Sequence, residues 1–436
     1  MSDIAADDVR EQHPCGALRG HLRVPGDKSV SHRSLIFGGQ GRGTTRVRGL
    51  LRSGDVHATW GAMEALGVSI EDHGDEVLVH GVPALEEPSN VVDCGNSGTS
   101  IRLLAGVLAR IDGHGVLTGD GSLRRRPMAR VAEPLRRMGA RIEGRAGGRL
   151  APLAIRGGGL HPVDHDLTVA SAQVKSCLLL AGLACGTRVR EPRQSRDHSE
   201  RFFAAMGRPL TVHDDRWLEV VPGPLEPIDV EVPADVSSAA FLLVAASLVP
   251  GSEVELPRVG LNATRTGIID ALRAMGADIE VVDEDRSGVE PMATLVVRHA
   301  PLHGIRIDGD LALRSLDELP VLAVAAAFAE GETVIADAAE LRVKESDRIA
   351  RVAAGLRCLG VDVEERPDGM CIQGGGCSGA EPAVVDASGD HRIAMAFTVA
   401  GLVAPAGVRV RAASAVESSW PSFYTDLSSL LPGRAS

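Results

Sequence analysis

Residues 177–191, CLLLAGLACGTRVRE, decide the fold, because the same pattern recurs along the chain. The first half is apolar on nearly every side at helical spacing, and a glycine and a short alternating run follow it. A helix without a polar face must be interior, so the pattern predicts a buried helix followed by a strand. Five further copies are SLIFGGQGRGTTRVRG (34–49), RLLAGVLARIDGHGVLTG (102–119), AAFLLVAASLVPGSEVEL (239–256), VLAVAAAFAEGETVIAD (321–337) and IAMAFTVAGLVAPAGVRVRA (393–412).

A second pattern alternates with the first. It is an amphipathic helix that ends in Leu-Gly or Met-Gly, followed by a short strand, as in RMGARIE (137–143). The glycine is predicted to cap the helix in a left-handed conformation. The five glycines, which recur at a nearly constant spacing, are Gly67, Gly139, Gly207, Gly276 and Gly360.

Six copies of one unit over 436 residues predict an α/β fold of two similar domains, each built from three repeat units. A proline cluster from Pro222 to Pro233 falls between the third and fourth units and marks the boundary. We therefore expect one discontinuous domain of residues 1–24 plus 233–436 and a second domain of residues 25–232. The alternative of a single sheet with accidental periodicity is weak, because two independent patterns keep the same count.

Composition excludes several classes of protein. The net charge of -12 and the aromatic content of 3% argue against a nucleic-acid-binding surface. The seven cysteines form no C-x-x-C pair, which argues against disulfides and a zinc knuckle. The apolar runs are broken before 18 residues, so we expect no membrane span, and the acidic N-terminal stretch predicts a cytoplasmic protein.

Polar groups stand where each buried helix is predicted to begin. VPGDKSVSHR (24–33) resembles a phosphate-binding loop, but Asp27 occupies the position of its last glycine, so an ATP site is excluded. Helix N-termini with nearby cations attract other anions. An acidic protein that concentrates cations at these points is predicted to hold an anionic ligand there. Lys344 and Arg348, four residues apart, are expected to share one helix face beside such an anion.

Each of these residues also has an ordinary structural alternative. Ser29 and Asp390 are suitable N-caps, and Asp317 with Glu318 suits a helix dipole. A run such as Arg124–Arg126 is more often a solvated surface patch. Their recurrence at the same place in successive repeats favours a shared site.

Eight motifs follow one another along the chain: PGDKSVSHR, GNSGTSIRLL, LTGDGSLRRRPM, SAQVKSCLLLAGL, SRDHSER, VPADVSSAAF, LRVKESDRI and DHRIAMAF. From about residue 17 to the C-terminus, these motifs resemble those of the 5-enolpyruvylshikimate-3-phosphate synthase family. The resemblance implies two similar domains of inverse α/β units, the enolpyruvyl transferase fold, with the active site in the cleft between them. It also implies transfer of the enolpyruvyl group of phosphoenolpyruvate to shikimate 3-phosphate, in aromatic amino acid biosynthesis.

Matching motif positions gives the site residues that the resemblance implies. In this family the reaction is an addition followed by an elimination, with Asp317 as the base and Glu345, together with Lys28, as the proton donor. The resemblance implies no metal or organic cofactor, and a monomer. The shikimate 3-phosphate residues are Lys28, Ser29, Arg33, Ser171, Ala172, Gln173, Ser195, Asp317 and Lys344, and the phosphoenolpyruvate residues are Lys28, Gly98, Arg126, Gln173, Arg348 and Arg392.

The chain also departs from the family pattern. Many members have a second serine where this chain has Ala172, and some have a lysine where this chain reads VESS (416–419). Leu103 stands where some members have proline, near the phosphoenolpyruvate pocket. The herbicide glyphosate occupies that pocket in this family and is excluded by alanine at the position of Gly98, so the resemblance implies competitive inhibition here.

Two rival functions remain. The sister enzymes, UDP-N-acetylglucosamine enolpyruvyl transferases, share the fold but carry a catalytic cysteine that GDGSLRRRPMAR (119–130) lacks. A non-catalytic anion-binding protein would gain nothing from carboxylates at Asp317 and Glu345.

Overall fold

The computed structural model describes residues 8–377 and 379–431. Within these residues the chain forms two compact units. The first unit comprises the residues up to Pro25, Ala234–Asp285 and the residues from Pro291 onward, and the second comprises Gly26–Pro233 and Arg286–Glu290. The boundaries after Pro25 and Pro233 each lie one residue from the expected positions.

The segment 286–290 corrects the expected boundaries, because it packs with the second unit instead of the first. Val289 contacts the hydrophobic core of the second unit. Glu290 is 2% exposed, and its Oε1 lies 2.7 Å from His198 Nδ1. Burial of these two side chains fixes the segment in that unit.

Helices and strands alternate along the chain in short elements. The helices are α1 (Lys28–Gly38), α2 (Gly54–Ala65), α3 (Gly98–Leu108), α4 (Ala129–Arg137), α5 (Arg145–Gly148), α6 (Ala172–Gly182), α7 (His198–Ala205), α8 (Val236–Leu248), α9 (Gly267–Ala274), α10 (Gly309–Arg314), α11 (Leu319–Phe328), α12 (Arg348–Cys358), α13 (His391–Gly401) and α14 (Phe423–Ser429). Short 3₁₀ turns cover Leu123–Arg125, Asp214–Arg216, Ala339–Val343 and Ala413–Ser418.

The strands are mostly three to five residues long. They are β1 (Val9–Gln12), β2 (Arg19–His21), β3 (Thr44–Arg48), β4 (Ser69–Asp72), β5 (Glu76–His80), β6 (Val92–Asp93), β7 (His114–Thr118), β8 (Arg141–Gly144), β9 (Leu150–Arg156), β10 (Asp164–Asp166), β11 (Thr187–Arg190), β12 (Thr211–Val212), β13 (Leu218–Val220), β14 (Asp229–Glu231), β15 (Glu253–Gly260), β16 (Asp278–Asp285), β17 (Met292–Arg298), β18 (Arg306–Ile307), β19 (Glu332–Ile335), β20 (Val363–Arg366), β21 (Gly369–Gln373), β22 (Ala383–Asp386) and β23 (Val408–Arg411).

The described strands form six sheets, three in each unit, with one recurring pattern. In every sheet an edge strand runs parallel to its neighbour, and that neighbour pairs antiparallel with a third strand. The predicted α/β fold of repeated units is confirmed. The second unit holds the orders β14-β3-β5-β4, β6-β7-β9-β8 and β10-β11-β13-β12, and the first holds β16-β17-β15-β2, β18-β19-β21-β20 and β1-β23-β22.

Two pairings explain why the first unit is discontinuous. β1 pairs with β23, with Val9 opposite Arg411, and β2 pairs with β15, with Arg19 opposite Glu253. The N-terminal strands therefore complete sheets whose other strands come from the C-terminal half of the chain. The two units also have separate hydrophobic cores.

All six predicted buried helices are present as α1, α3, α6, α8, α11 and α13. In α8 every residue from Val236 to Ser247 is buried, as expected for a helix that is apolar on all sides. Within the described part of the chain, no helix is long and apolar enough to cross a membrane.

The five predicted glycine caps are also confirmed. The φ angles of the five glycines lie between +75° and +111°. At Gly67 the glycine N–H donates to the Glu64 carbonyl and the next N–H, that of Val68, donates to the Met63 carbonyl. This is a Schellman motif, which satisfies carbonyls at the helix C-terminus. The same two hydrogen bonds recur at each of the other four glycines.

Candidate active site

In the second unit the three buried helices begin side by side. His32 Nδ1 of α1 lies 2.7 Å from Thr59 Oγ1, which in turn lies 2.5 Å from Ser100 Oγ of α3. Gln173 of α6 donates from Nε2 to Thr99 Oγ1 at 3.0 Å. The predicted polar residues at these helix starts are therefore brought together by direct contacts.

Lys28 and Arg33, both on α1, are held by the second unit in different ways. Lys28 Nζ forms an ion pair with the Asp55 carboxylate of α2. The Arg33 guanidinium is buried and donates from Nε to Ser199 Oγ at 2.9 Å and from Nη2 to Ser176 Oγ at 3.0 Å. Burial lowers the pKa of Arg33 to about 10, against the opposing pull of acidic neighbours such as Glu200. Arg33 is thus a fixed cation.

Gly98 begins α3 beside two guanidinium groups. A Cβ at this position would lie 2.8 Å from Arg102 Nη1 and 3.2 Å from Arg126 Nη1. Arg126 donates to Asn96 Oδ1, and Arg102 donates to Gln173 Oε1 at 2.6 Å. The absence of a side chain at Gly98 therefore leaves room beside two cations at a helix N-terminus, which is an arrangement suited to an anion.

Arg102 has a role that the predicted site residues did not include. Its hydrogen bond fixes the amide of Gln173, and Nη2 also lies 3.3 Å from the Pro127 carbonyl oxygen. Leu103, the next residue, points into the core and is fully buried. The recurring polar residues at the start of α3 were the only sequence signal for Arg102.

Ser171 and Ser195 meet at one carboxylate, that of Glu191. Ser171 is the N-cap of α6, and its backbone N–H donates to Glu191 Oε1 at 2.7 Å. Ser195 Oγ donates to Glu191 Oε2 at 2.7 Å. Ala172 is the first residue of α6, so a ligand contact from it would use its backbone. Sequence reasoning missed Glu191 because a single glutamate after a strand carries no local signal.

In the first unit three cations surround the carboxylate of Asp317. Lys344 Nζ and Arg348 Nη1 each lie 3.3 Å from Asp317 Oδ1. Arg392 donates from Nη1 to the Asp317 carbonyl oxygen at 3.0 Å, and its Nη2 lies 3.9 Å from Oδ2. The predicted residues Asp317, Lys344, Arg348 and Arg392 are thus brought into one cluster.

Arg348 is the centre of this cluster, and its side chain is 1% exposed. It donates from Nε to Asp390 Oδ2 at 2.8 Å and from Nη2 to Glu345 Oε2 at 2.6 Å. Burial alone would lower the pKa of Arg348, but Asp390, Glu345 and Asp317 outweigh it and raise that pKa. Burial likewise opposes the charge on Asp390, yet Arg348 keeps the pKa of Asp390 below its ordinary value.

The prediction that Lys344 and Arg348 share a helix face is wrong. The helix α12 begins at Arg348, and Asp347 caps it by accepting from the Ala350 N–H at 3.0 Å. Lys344 precedes this cap and has an extended backbone. The two cations meet at Asp317 from different backbone segments, and a carboxylate of the chain itself lies between them.

The buried helices of the first unit also begin together. Ser237 of α8 donates to the carboxylate of Glu318, the N-cap of α11, and Arg392 of α13 lies 3.8 Å from the same carboxylate. In the VESS segment, Ser418 Oγ lies 3.2 Å from His391 Nδ1. Glu318 therefore joins the three helix starts of this unit.

Within the described residues, no group of three or more His, Cys, Asp or Glu side chains is placed to hold a metal ion.

Comparison with known proteins shows what the chain is similar to. A sequence model of EPSP synthase, 3-phosphoshikimate 1-carboxyvinyltransferase, matches residues 13–427. The 3-phosphoshikimate 1-carboxyvinyltransferase of Pelobacter propionicus is 52% identical over 419 residues, which cover 94% of this chain and 96% of that protein. The structure of EPSP synthase from Acinetobacter baumannii matches with a TM-score of 0.85 at 43% identity, over 97% of this chain and 98% of that one.

A more distant structure agrees in fold alone. The enolpyruvyl transferase NikO from Streptomyces tendae has a TM-score of 0.76 at 18% identity, over 97% of each chain. The enolpyruvyl transferase fold is therefore confirmed. With a family match over nearly its whole length, the chain belongs to the EPSP synthase (3-phosphoshikimate 1-carboxyvinyltransferase) family.

Proposed function

We propose that the residue clusters described above carry out the reaction of this family. The reaction transfers the enolpyruvyl group of phosphoenolpyruvate to the 5-hydroxyl of shikimate 3-phosphate and releases phosphate. Both substrates carry a phosphate and a carboxylate, so binding needs several cations and hydrogen-bond donors. The clusters around Lys28, Gly98 and Arg348 offer such groups in an acidic chain.

The proposed binding residues come from both units. The hydroxyls and backbone N–H groups near Ser171 and Ser195 suit the phosphate of shikimate 3-phosphate, because helix N-termini bind anions. Phosphoenolpyruvate is assigned to the cations beside Gly98 and to Arg392, since guanidinium groups bind carboxylates and phosphates through two hydrogen bonds. The full sets are Lys28, Ser29, Arg33, Ser171, Ala172, Gln173, Ser195, Asp317 and Lys344 for shikimate 3-phosphate, and Lys28, Gly98, Arg126, Gln173, Arg348 and Arg392 for phosphoenolpyruvate.

The proposed mechanism is addition followed by elimination. Asp317 takes the proton of the 5-hydroxyl as its oxygen bonds to C2 of phosphoenolpyruvate, and Glu345, with Lys28, delivers a proton to the methylene carbon. In the tetrahedral intermediate the bond from C2 to the phosphate oxygen then breaks, the proton held by Asp317 passes to the departing phosphate, and a proton returns from the methyl group to Glu345. This is general acid–base catalysis by two carboxylates, with charge stabilised by fixed cations.

The observation that carries this proposal is the placement of Asp317 and Glu345 within the cationic cluster. Asp317 contacts Lys344, Arg348 and Arg392, and Glu345 contacts Arg348. A carboxylate that faces a bound anion weakens its binding, because like charges repel. Proton transfer gives both side chains a use.

Phosphate release from phosphoenolpyruvate tests the proposal. We expect release with shikimate 3-phosphate and none with UDP-N-acetylglucosamine. Release that requires the sugar nucleotide would assign the substrate of the sister enzymes instead. Binding of shikimate 3-phosphate without any release would leave an anion-binding protein and contradict the catalytic roles of Asp317 and Glu345.

We further infer that the chain acts as a monomer in the cytoplasm. Among the described residues the exposed large apolar side chains are all valines spread along the chain, which gives little basis for a stable interface. The substrates are strongly charged and need no membrane-bound partner. Light scattering is expected to give 45.6 kDa, and cell fractionation is expected to place the protein with cytoplasmic markers. Twice that mass, or a membrane-bound fraction, would contradict this inference.

A further inference from the structure

Glu191 collects donors from three places in the second unit. It follows β11 and is 7% exposed. Its Oε1 accepts from the Ser171 N–H at 2.7 Å, and its Oε2 accepts from the Ser195 N–H at 3.3 Å and the Ser195 hydroxyl at 2.7 Å. Lys175 Nζ lies 2.9 Å from the same Oε2. One side chain therefore ties the start of α6 to the loop that precedes α7.

We propose that Glu191 is a positioning residue that holds Ser171 and Ser195 in the arrangement that receives the phosphate of shikimate 3-phosphate. This inference rests on the proposed function, which assigns both serines to that substrate. The two serines lie 24 positions apart in the sequence and on different backbone segments. Loss of Glu191 would let the two segments move independently, so the donors would no longer converge on one anion.

The hydrogen bonds of Glu191 remain compatible with bound phosphate. The hydroxyl of Ser195 has one proton, which Glu191 accepts in this structure. A phosphate group accepts hydrogen bonds, so the hydroxyl turns toward it when the substrate binds. Glu191 then keeps both backbone N–H groups and Lys175. The carboxylate thus fixes the backbone of both serines while it releases one hydroxyl.

Lys175 compensates the charge of Glu191. Its ammonium is 1% exposed and also lies 2.6 Å from Glu200 Oε1. Burial by itself would lower the pKa of Lys175, but Glu200 and Glu191 outweigh it and raise that pKa. If Glu191 becomes glutamine, Lys175 still pairs with Glu200. The substitution therefore leaves no isolated buried charge, and we expect the variant to fold.

The surroundings of Glu191 give a second reason to expect a folded variant. The side chain borders a cavity of about 290 Å³ in the second unit. The formal charges around this cavity balance, because three basic and three acidic residues line it. They are Lys175, Arg193 and Arg216, and Glu191, Asp197 and Glu200. An amide of the same size in place of the carboxylate therefore lies beside other polar groups.

A positioning role for Glu191 and a purely electrostatic role predict opposite effects of Glu191→Gln on the binding of shikimate 3-phosphate. Removal of a negative charge near the site favours a bound phosphate, whereas loss of the shared hydrogen bonds disfavours it. Because Lys175 lies 2.9 Å from Glu191, the pair acts on the phosphate mainly as a dipole. The positioning effect therefore dominates, and Glu191→Gln weakens binding.

The experiment measures dissociation constants of shikimate 3-phosphate and of shikimate, which lacks the phosphate, by titration calorimetry. For Glu191→Gln we expect the constant for shikimate 3-phosphate to rise about 10- to 100-fold, as for lost hydrogen bonds to a charged group. The constant for shikimate should rise less than about threefold, because shikimate does not use the phosphate donors. A general loss of structure would raise both constants together and would overturn the inference.

Two further variants sharpen the test. Glu191→Asp keeps the charge but is one methylene shorter and does not span both serines, so it should also weaken shikimate 3-phosphate binding. Wild-type affinity in Glu191→Asp would show that charge alone matters. Glu143→Gln, an exposed carboxylate-to-amide change on β8, is the matched control and should leave both constants unchanged.

The outcomes separate this inference from the proposed function. Wild-type protein that binds no shikimate 3-phosphate and releases no phosphate would overturn the proposed function. Wild-type protein with normal binding and turnover, together with Glu191→Gln that binds as tightly or more tightly, would overturn only the role of Glu191.

Discussion

Asp317 is the residue at which the proposed chemistry can be tested most directly. Its Oδ1 lies 3.3 Å from both Lys344 Nζ and Arg348 Nη1. Asp317→Asn preserves the shape of the side chain but removes the proton acceptor. We expect kcat, measured as phosphate release, to fall about 10²- to 10⁴-fold, the usual contribution of a general base. Calorimetry should show that binding of shikimate 3-phosphate is retained.

Asp310→Asn is the control for this substitution. Asp310 is mostly exposed and pairs with Arg314 at 2.8 Å, so the change removes an ion-paired carboxylate of the same unit outside the cluster. We expect wild-type kcat, because exposed pairs contribute little. A kcat for Asp317→Asn within twofold of wild type would contradict its role as the base.

Gly98 determines the room beside Arg102 and Arg126. In Gly98→Ala the new Cβ would lie 2.8 Å from Arg102 Nη1, so that guanidinium must shift and release Gln173, to which it donates. We expect the KM for phosphoenolpyruvate to rise several-fold. The inhibition constant for glyphosate, which the family resemblance places in the same pocket, should rise more than that KM. Steady-state kinetics at varied phosphoenolpyruvate measures both constants.

Gly54→Ala is the matched control, since Gly54 also begins a helix, and a Cβ there would meet nothing within 4 Å. Its kinetics should equal those of wild type. Wild-type inhibition of Gly98→Ala by glyphosate, or inhibition of the native chain that does not depend on phosphoenolpyruvate, would contradict the assignment of this pocket.

At the scale of residues, motif positions predicted candidate residues that lie together, but not the contacts between them. Lys344, Arg348 and Arg392 were predicted from two motifs and lie in one cluster with Asp317. Glu191 was missed, because its importance comes from contacts with residues distant in sequence. A side chain that accepts hydrogen bonds from several segments has no local sequence signature.

At the scale of elements, replacing the glycine at a helix C-terminus has two costs, the strain of a left-handed backbone and the steric clash of the new Cβ. Two of the capping glycines allow these costs to be measured separately. Gly207→Ala meets only an ordinary contact with the Glu226 side chain, so its cost is the left-handed backbone alone, about 1–2 kcal/mol. In Gly139→Ala the φ angle is +111° and a Cβ would lie 3.2 Å from the Gly159 carbonyl oxygen. We expect a larger loss of unfolding free energy at Gly139, measured by urea unfolding.

Gly61→Ala is expected to change the unfolding free energy in the opposite direction. Gly61 lies inside α2, where a Cβ would meet nothing within 4 Å, and alanine favours a helix over glycine by about 1 kcal/mol. The variant should be slightly more stable than wild type. Equal stability of Gly139→Ala and Gly61→Ala would contradict the capping role.

Periodicity predicted the helices better than it predicted the short polar segments between them. The buried helices have no polar face, and each glycine cap has a clear local signal. The expected helical pairing of Lys344 with Arg348 failed, because Asp347 caps α12 and begins the helix only at Arg348. An acidic residue three positions before a free backbone N–H competes with continuation of the helix.

At the scale of the whole molecule, counting the repeats predicted three repeat units in each half of the chain. It did not predict which sheet or unit every short segment joins. β2 has the sequence RGH and is exposed, so periodicity gives no reason to pair it with β15. The segment 286–290 is placed by Glu290, whose partner His198 is distant in sequence. Such contacts depend on the folded chain and not on local propensity.

Two buried histidines of the second unit, His32 and His165, make the stability of the molecule depend on pH. Burial lowers the pKa of His165 to about 4, aided by Arg137 and opposed by Asp164, and burial also holds the pKa of His32 well below its ordinary value. The unfolded chain binds protons at these residues near pH 6.5, whereas the folded chain does not. The stability that depends on these two neutral imidazoles is therefore fully present above about pH 6.5 and is lost as the pH falls toward 4.

His165→Leu tests the contribution of one buried histidine to the pH dependence of stability. Neither ring nitrogen of His165 has a hydrogen-bond partner among the described residues, so leucine removes a buried polar group as well as a proton site. We expect higher stability at pH 7.5, and a slope of unfolding free energy between pH 6.5 and 4 reduced by up to about 1.4 kcal/mol per pH unit. His32 still titrates, so part of the slope remains.

The control is His114→Leu, because His114 is exposed, and this variant should keep the wild-type slope. An unchanged slope in His165→Leu would show that the imidazole of His165 is charged in the folded chain.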